Sequence, residues 1–421
     1  MLDIRTIREQ EADVRRALDL RGVGVDLDAV LALDRDRRNG LTEVEQLKNQ
    51  RNVVSKEIGQ LKKAGQDTAG RQAEVRVMGD RIAELDRIVR EAEEKLNNAL
   101  LFMPNLPHPS VPPGKDAAQN RFVRQHGAPR EFDFKPRPHW ELGERLGLFD
   151  FERGARMSGA GFPLFTGRGA RLERGLIQFM LDLHTTEHGY REVAPPYLCT
   201  AAAMTGTGQL PKLAEDMYHV PSDDLYLIPT AEVPVTNFYR EEIIRDPLPI
   251  RLTAYSACFR REAGAAGRDT RALIRVHQFD KVELVKFVEP ETSDAELETL
   301  LQDAEDVLQR LGLVYRVMEL CAGDLSFASS HTYDIELWAP AQNAWLEVSS
   351  CSNFGDFQAR RAGIRYRNKD GKVNFVHTLN GSGVALPRLV VALLENNQLA
   401  DGSVVLPKAL HPYLGGLTVL D

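Results

Sequence analysis

The sequence predicts an α+β fold in two parts. A long N-terminal antiparallel helical hairpin comes first, and a larger domain with a mostly antiparallel sheet flanked by helices follows. Three observations carry this. The first hundred residues combine heptad-like apolar spacing and dense charge with almost no aromatics. A proline-rich break, MPNLPHPSVPPGKD, then occupies Met103–Asp116. Beyond it, strand-like segments cluster late and are separated by turns rather than by a helix each time, which favours antiparallel pairing. The divisions read as 1–103 for the arm, 104–120 for the linker and 121–421 for the larger domain.

Composition agrees. A chain of 421 residues is too long for one small core, and its 43% hydrophobic content is ample for a large one. The net charge of -8 does not advertise a nucleic-acid binder, although local basic patches matter more than the total. Cys199, Cys258, Cys321 and Cys351 are scattered, with no CxxC pair, so neither a zinc ribbon nor a disulfide scaffold is expected. Reduced, mostly buried thiols are. The charged opening MLDIRTIREQ is no signal peptide, and no apolar run approaches the roughly 20 residues that span a bilayer. A soluble, cytoplasmic protein with no membrane partner is expected.

In the arm, Leu33, Arg37, Gly40, Val44, Leu47, Arg51, Val54, Ile58 and Leu61 step by threes and fours. Val75, Met78, Ile82, Leu85, Val89, Ala92 and Leu96 form a second such seam, and Lys62–Gln72 between them reads as a turn. Each helix would reach roughly 45–55 Å. Arg37, Gly40 and Arg51 interrupt the first seam, so that helix should be broken or weakly packed near Gly40. The arm could serve dimerisation or scaffolding. It could equally reach a phosphate-rich partner, because Lys48, Arg51, Lys56, Lys62, Lys63, Arg71 and Arg76 gather toward its tip.

Three segments of the larger domain carry chemistry or its framing. Leu176–Leu198 reads as an amphipathic helix, a Gly189 stop and a strand running into Pro195–Pro196. Its HTTEH (His184–His188) matches a zinc-protease pattern formally. The histidines lie in the last helical turn with no further ligand in view, where cations complement the helix dipole, and no zinc is expected. Next, FRREAG (Phe259–Gly264) and LIRVHQFDKVELV (Leu273–Val285) read as two strands joined by the basic loop Ala263–Ala272. Alternation puts Arg260 and Glu262 on one face, and Arg275, Phe279 and Glu283 on one face of the second strand. Cations for phosphate, a ring for a base and carboxylates for an amine or hydroxyl make a site rather than a core. No Walker A and no strand-coupled GxGxxG occurs. Finally, His377–Gln398 reads as a strand end, a tight Asn380–Gly383 turn, and a helix with Arg388 early in it, where anions are favoured.

Together these three resemble motifs 1, 2 and 3 of class II aminoacyl-tRNA synthetases. The stretches TGTGQLPK, LIPTAEVPVTN, VHQFDKVE, TYDIELWAP and EVSSCSNFGDFQARR, with the helical arm, resemble the bacterial-type seryl-tRNA synthetase family in particular. The resemblance spans essentially the whole chain. It implies the class II synthetase fold and an ATP-dependent ligase that activates L-serine to seryl-adenylate and passes it to the 3′ end of tRNA(Ser), and of tRNA(Sec) where present. It also implies a homodimer through the motif 1 region, with tRNA held by the arm.

The resemblance assigns roles as well. Arg260 would bridge the α-phosphate and the serine carboxylate, and Glu262 would take the adenine amino group. Phe279 would stack on adenine, Arg275 would hold phosphate or ring, and Arg388 would take the γ-phosphate. Arg261, Val276, Val348 and Ser349 complete the ATP surface. Glu347 and Ser350 would hold Mg²⁺, although strict alternation puts them on opposite faces and so demands a bulge or strand end at Ser349. Thr230, Ala231, Glu232 and Glu283 would bind serine, with Ser382 closing on its hydroxyl. Three rival readings are a carrier-protein ligase lacking the arm, a non-catalytic RNA-binding relative and a coiled-coil structural protein. The arm, the presence of Arg260, Glu262 and Arg388, and the three hundred mixed residues weigh against them in turn.

Overall fold

The computed structural model describes residues 1–263 and 272–421. It divides into two compact units, Met1–Asp19 with Val23–Pro104, and Leu20–Gly22 with Asn105–Asp421.

The first unit is helical: α1 (Ile4–Glu9), α2 (Glu11–Leu20), α3 (Leu27–Lys63) and α4 (Ala69–Leu101). Asp26 caps α3 by accepting from the Ala29 amide at 2.9 Å. The α4 seam is as the spacing predicts, with Ile82, Leu85, Val89, Ala92 and Leu96 buried. The α3 side differs from expectation, because the helix runs unbroken through Gly40. Gly40 is buried, and a Cβ there would come within 2.7 Å of Val89 Cγ2. The glycine is a point of close approach between helices. Nor do the arginines weaken the seam: Arg37 stays at its edge and pairs with Glu93 at 2.9 Å. Of the tip cations, Lys48 pairs with Asp86 and Arg71 with Glu57 and Glu74, while Lys56, Lys62, Lys63 and Arg76 are exposed.

The second unit is built on an eight-stranded sheet. Its strands in chain order are β1 (Arg121–His126), β2 (Arg191–Glu192), β3 (Ile250–Phe259), β4 (Gln278–Val288), β5 (Tyr315–Glu319), β6 (His331–Ala339), β7 (Ala344–Asn353) and β8 (His377–Ala385). Their spatial order is β1-β5-β6-β7-β8-β4-β3-β2. Every pairing is antiparallel except β2 with β3. Three long helices supply most of the helical part of the main core: α5 (Gly167–Thr186), α6 (Ser293–Arg310) and α7 (Leu386–Asn397). On β4, Val282, Leu284 and Val288 enter that core, while Val285 and Phe287 join a second cluster with Leu252 and Ile364. The odd-numbered face of β4 therefore changes along its length, from apolar at Val285 and Phe287 to the ionic Glu283 and Lys281, and ends on the ring of Phe279.

Two expectations change here. The segment Asn380–Gly383 is no turn, since it lies within β8 in antiparallel register with β4. Its glycines serve contact instead. A Cβ on Gly381 would meet Leu300 Cδ2 at 2.3 Å, and one on Gly383 would meet His184 Nε2 at 2.7 Å. The strands of the hairpin are also shorter than the sequence suggests. β3 stops at Phe259 and β4 starts at Gln278, so Arg260, Glu262 and Arg275 stand beyond the strands. Most of the loop Ala263–Ala272 lies outside the described residues.

Candidate active site

A cavity of about 550 Å³ opens over the upper face of β4, β7 and β8. Its rim on one side is the mouth of the β3–β4 hairpin. The Arg260 amide donates to the His277 carbonyl at 2.8 Å, which carries the pairing one residue past β3. Glu262 then adopts φ +52. That left-handed turn, rather than strand alternation, brings its carboxylate onto the Arg275 guanidinium, with which it is ion-paired. The Arg260 guanidinium lies 5.2 Å over the Phe279 ring and donates to the Pro229 carbonyl at 3.3 Å. Cation and ring are thus already stacked on one another.

The opposite rim comes from β7 and α7. Across the β6–β7 pairing, Glu347 faces Glu336 and Ser349 faces Ile335, leaving Val348 as the extra residue of a bulge. The bulge falls one residue before the predicted position and has the predicted effect. Glu347 and Ser350 both line the cavity. Behind them Asp334 is half-buried and hydrogen-bonded with Ser350, and its Oδ1 is buried with no partner among the described residues. Burial, with Glu347 nearby, raises the Asp334 carboxyl well above the usual range. Arg388, on α7, donates to the Glu347 carbonyl at 2.6 Å and to the Ile274 carbonyl at 3.2 Å. It is aimed by a break in β8, where register shifts between Ser382 and Ala385 and Val384 takes φ 109, a costly conformation for a β-branched residue.

The floor is a small ionic nest. Lys281 Nζ donates to Thr230 Oγ1 at 2.9 Å and pairs with Glu283 Oε2 at 2.5 Å. Thr230 donates to Glu283 at 3.2 Å and accepts from the Glu232 amide at 3.2 Å. Asn380 donates to the other Glu283 oxygen at 2.9 Å, and Ser382 stands opposite Glu283 in register. Glu232 accepts from Gln358 Nε2 at 2.6 Å. Burial, reinforced by Glu283, pushes the Glu232 carboxyl up to about 7. A buried acid of this kind suits a cationic ligand that would restore its ionised form.

Twelve of the sixteen sequence-predicted residues border the cavity: Thr230, Glu232, Arg260, Glu262, Arg275, Val276, Phe279, Glu347, Val348, Ser350, Ser382 and Arg388. Four stand elsewhere. Arg261 is exposed and holds Asp216 through its backbone amide. Ala231 is buried in the apolar cluster with Val235. Ser349 Oγ donates to the Ser382 carbonyl at 2.7 Å and so staples β7 to β8. Glu283 lies one layer under the floor, fully buried, its carboxylate engaged by Lys281, Thr230 and Asn380. Sequence reasoning missed Lys281, Asn380 and Gln358. Alternation could have found Lys281, which shares parity with Phe279 and Glu283. Nothing in the local sequence marks Gln358, which reaches the floor from a separate helix, Phe357–Ala362.

The HTTEH histidines also differ from expectation. Burial, then His188, holds His184 down to about 3, so it is uncharged and no partner for a helix dipole. It packs against Gly383 instead, while His188 Nε2 lies 3.0 Å from Asp306. All four cysteines are free and buried. No helix among the described residues is long and apolar enough to cross a membrane.

The chain is similar to known proteins along its whole length. The seryl-tRNA synthetase N-terminal domain model matches residues 1–107, and the class II tRNA synthetase core model (G, H, P, S and T) matches residues 218–397. A serine–tRNA ligase of Pelotomaculum thermopropionicum is 59% identical over 99% of this chain and 99% of its own length. That of Carboxydothermus hydrogenoformans is 58% identical over 99% of this chain and 98% of its own. The crystal structure of seryl-tRNA synthetase from Pyrococcus horikoshii complexed with ATP superposes with TM-score 0.95 at 38% identity, covering 100% of this chain and 99% of that one. On the sheet topology, the ionic floor and these full-length similarities, the chain belongs to the seryl-tRNA synthetase family and carries its class II core.

Proposed function

We propose that this cavity is where L-serine and ATP meet, and that the chain is an ATP-dependent serine–tRNA ligase working in two steps. In the first, a serine carboxylate oxygen attacks the α-phosphorus of ATP and pyrophosphate leaves. In the second, a hydroxyl of the terminal tRNA adenosine attacks the seryl carbonyl and AMP leaves. The observation that carries the reading is the ionic floor of Thr230, Lys281 and Glu232, held from below by Glu283 and set in one cavity with Arg260, Phe279 and Arg388.

Arg260 neutralises charge between serine carboxylate and α-phosphate as the bond forms. For this it leaves the Phe279 ring, which is then free to stack on adenine while Glu262 accepts from the adenine amino group. Arg275 and Arg388 hold the outer phosphates and keep the leaving group in line. Glu232 and Thr230 take the serine ammonium and hydroxyl, with Ser382 closing on the hydroxyl. Glu283, through Lys281 and Asn380, holds that floor in place. A small pocket excludes threonine by its methyl, and alanine leaves buried partners unpaired at about 1–3 kcal/mol each.

The oxygen donors Glu347 and Ser350, backed by Asp334 Oδ1, which has no partner among the described residues, fit a hard cation. Mg²⁺ there would neutralise triphosphate charge. The exposed Lys56, Lys62, Lys63 and Arg76 suit the arm to the phosphates of tRNA(Ser). The motif 1 region, Leu176–Leu198, would pair two copies into a homodimer, and the reaction belongs in the cytoplasm with the tRNA pool.

The test is an amino-acid panel in ATP–pyrophosphate exchange with the full chain. Exchange should depend on serine, with threonine and alanine far weaker. Exchange driven equally by another amino acid, or none with serine, overturns the reading.

A further inference from the structure

We propose that His108, Asp294 and His331 form a binding site for one borderline transition-metal cation, of the Zn²⁺ or Co²⁺ class, remote in role from the ATP site. The three residues come from three segments. His108 sits in the proline-rich stretch, Asp294 in the first turn of α6, and His331 opens β6. Each offers one ligand atom, and these atoms lie within 4.8 Å of one another.

Orientation supports ligation more than coincidence of types does. His331 is 7% exposed, and its Nε2 lies 3.0 Å from Glu319 Oε1. A carboxylate there fixes the proton on Nε2 and leaves a bare lone pair on Nδ1. That Nδ1 is buried with no hydrogen-bond partner among the described residues. Histidine held by a carboxylate through one nitrogen and presenting the other is the usual arrangement behind a bound metal.

His108 faces the same point through Nε2. Its Nδ1 lies 2.8 Å from Ser110 Oγ and accepts from the Ser110 amide at 3.3 Å; on ligation through Nε2 the ring proton moves to Nδ1, where Ser110 Oγ can accept it. Its Nε2 is 3.6 Å from Asp294 Oδ2. Bond lengths of roughly 2.0–2.2 Å in a tetrahedral site put ligand atoms roughly 3.3–3.5 Å apart, so this pair needs almost no movement. The other Asp294 oxygen accepts from Asn353 Nδ2 at 3.4 Å. Two imidazoles and one carboxylate favour Zn²⁺ or Co²⁺ over Mg²⁺, with a fourth position open to water. Such an ion would clip the proline-rich stretch to the sheet, reinforcing the His108 amide bond to the Ser330 carbonyl at 2.9 Å.

Titrating the full chain with Co²⁺ and following its visible absorption tests the site. One equivalent per chain should bind and be displaced by Zn²⁺. His108→Gln alters a half-exposed ring, so folding should survive. It should weaken binding at this site by at least about tenfold and leave serine-dependent pyrophosphate exchange unchanged. Glu319→Gln should weaken binding by roughly 10–100-fold. Unchanged stoichiometry and affinity in His108→Gln, or no saturable Co²⁺ binding by the wild-type chain, overturns the proposal.

Discussion

At the scale of single residues, the site is governed by how few alternatives its buried charges have. Arg260 makes one long bond to a carbonyl and stacks on Phe279, so nothing in the fold depends on it heavily. Arg260→Ala should therefore leave circular dichroism and thermal melting nearly unchanged. It should lower pyrophosphate exchange by at least about 100-fold, the magnitude seen when one preorganised charge-stabilising donor is removed. A near-normal exchange rate would refute the assignment. Glu232 makes a pH prediction. Its folded pKa is raised to about 7, so ionising it in the empty pocket costs stability as pH rises from the ordinary carboxylate range toward 7. A bound ammonium needs the ionised form. Serine KM should therefore rise roughly tenfold per pH unit below about 7 and be flat above it. Glu232→Gln should weaken serine at alkaline pH and remove the slope; the same slope in that variant would place the titration elsewhere.

At the scale of elements, two glycine readings failed for one reason. Gly40 and the Asn380–Gly383 run look like interruptions because glycine lowers helix and strand propensity. In the fold both mark surfaces where a neighbour comes too near for a Cβ: Val89 at Gly40, Leu300 at Gly381 and His184 at Gly383. Gly40→Leu should therefore overpack the arm and cost about 1–3 kcal/mol, read as a lower melting temperature of the full chain. Val89→Ala in the same chain should recover part of the loss; additive losses from the two changes would argue against contact between them. The β7 bulge was legible, because Glu347 and Ser350 had to share a face and regular alternation forbids it. The hairpin parity was not, because Glu262 reaches Arg275 through a positive φ that no alternation rule contains.

At the scale of the whole molecule, the proposed function gives the arm and the catalytic unit separable tasks. Removing residues 33–100 should abolish tRNA charging while serine-dependent pyrophosphate exchange persists; loss of both would make the arm structural. In the intact chain, KM for tRNA should climb steeply with salt while exchange changes little, because phosphate contacts release counterions and the serine pocket does not. The sequence by itself determined the long helical N-terminal region and the mostly antiparallel sheet that follows it. It also supplied most of the cavity's chemistry, because periodicity and motif order are local properties of a chain. Only the tertiary structure decided that Glu283 lies beneath the floor rather than in it, that Ser349 is a staple between strands, and that Gln358 reaches Glu232. Those outcomes depend on which distant segments are pressed together. A residue's depth and partners are set by its neighbours across the sheet, and no run of consecutive residues records them.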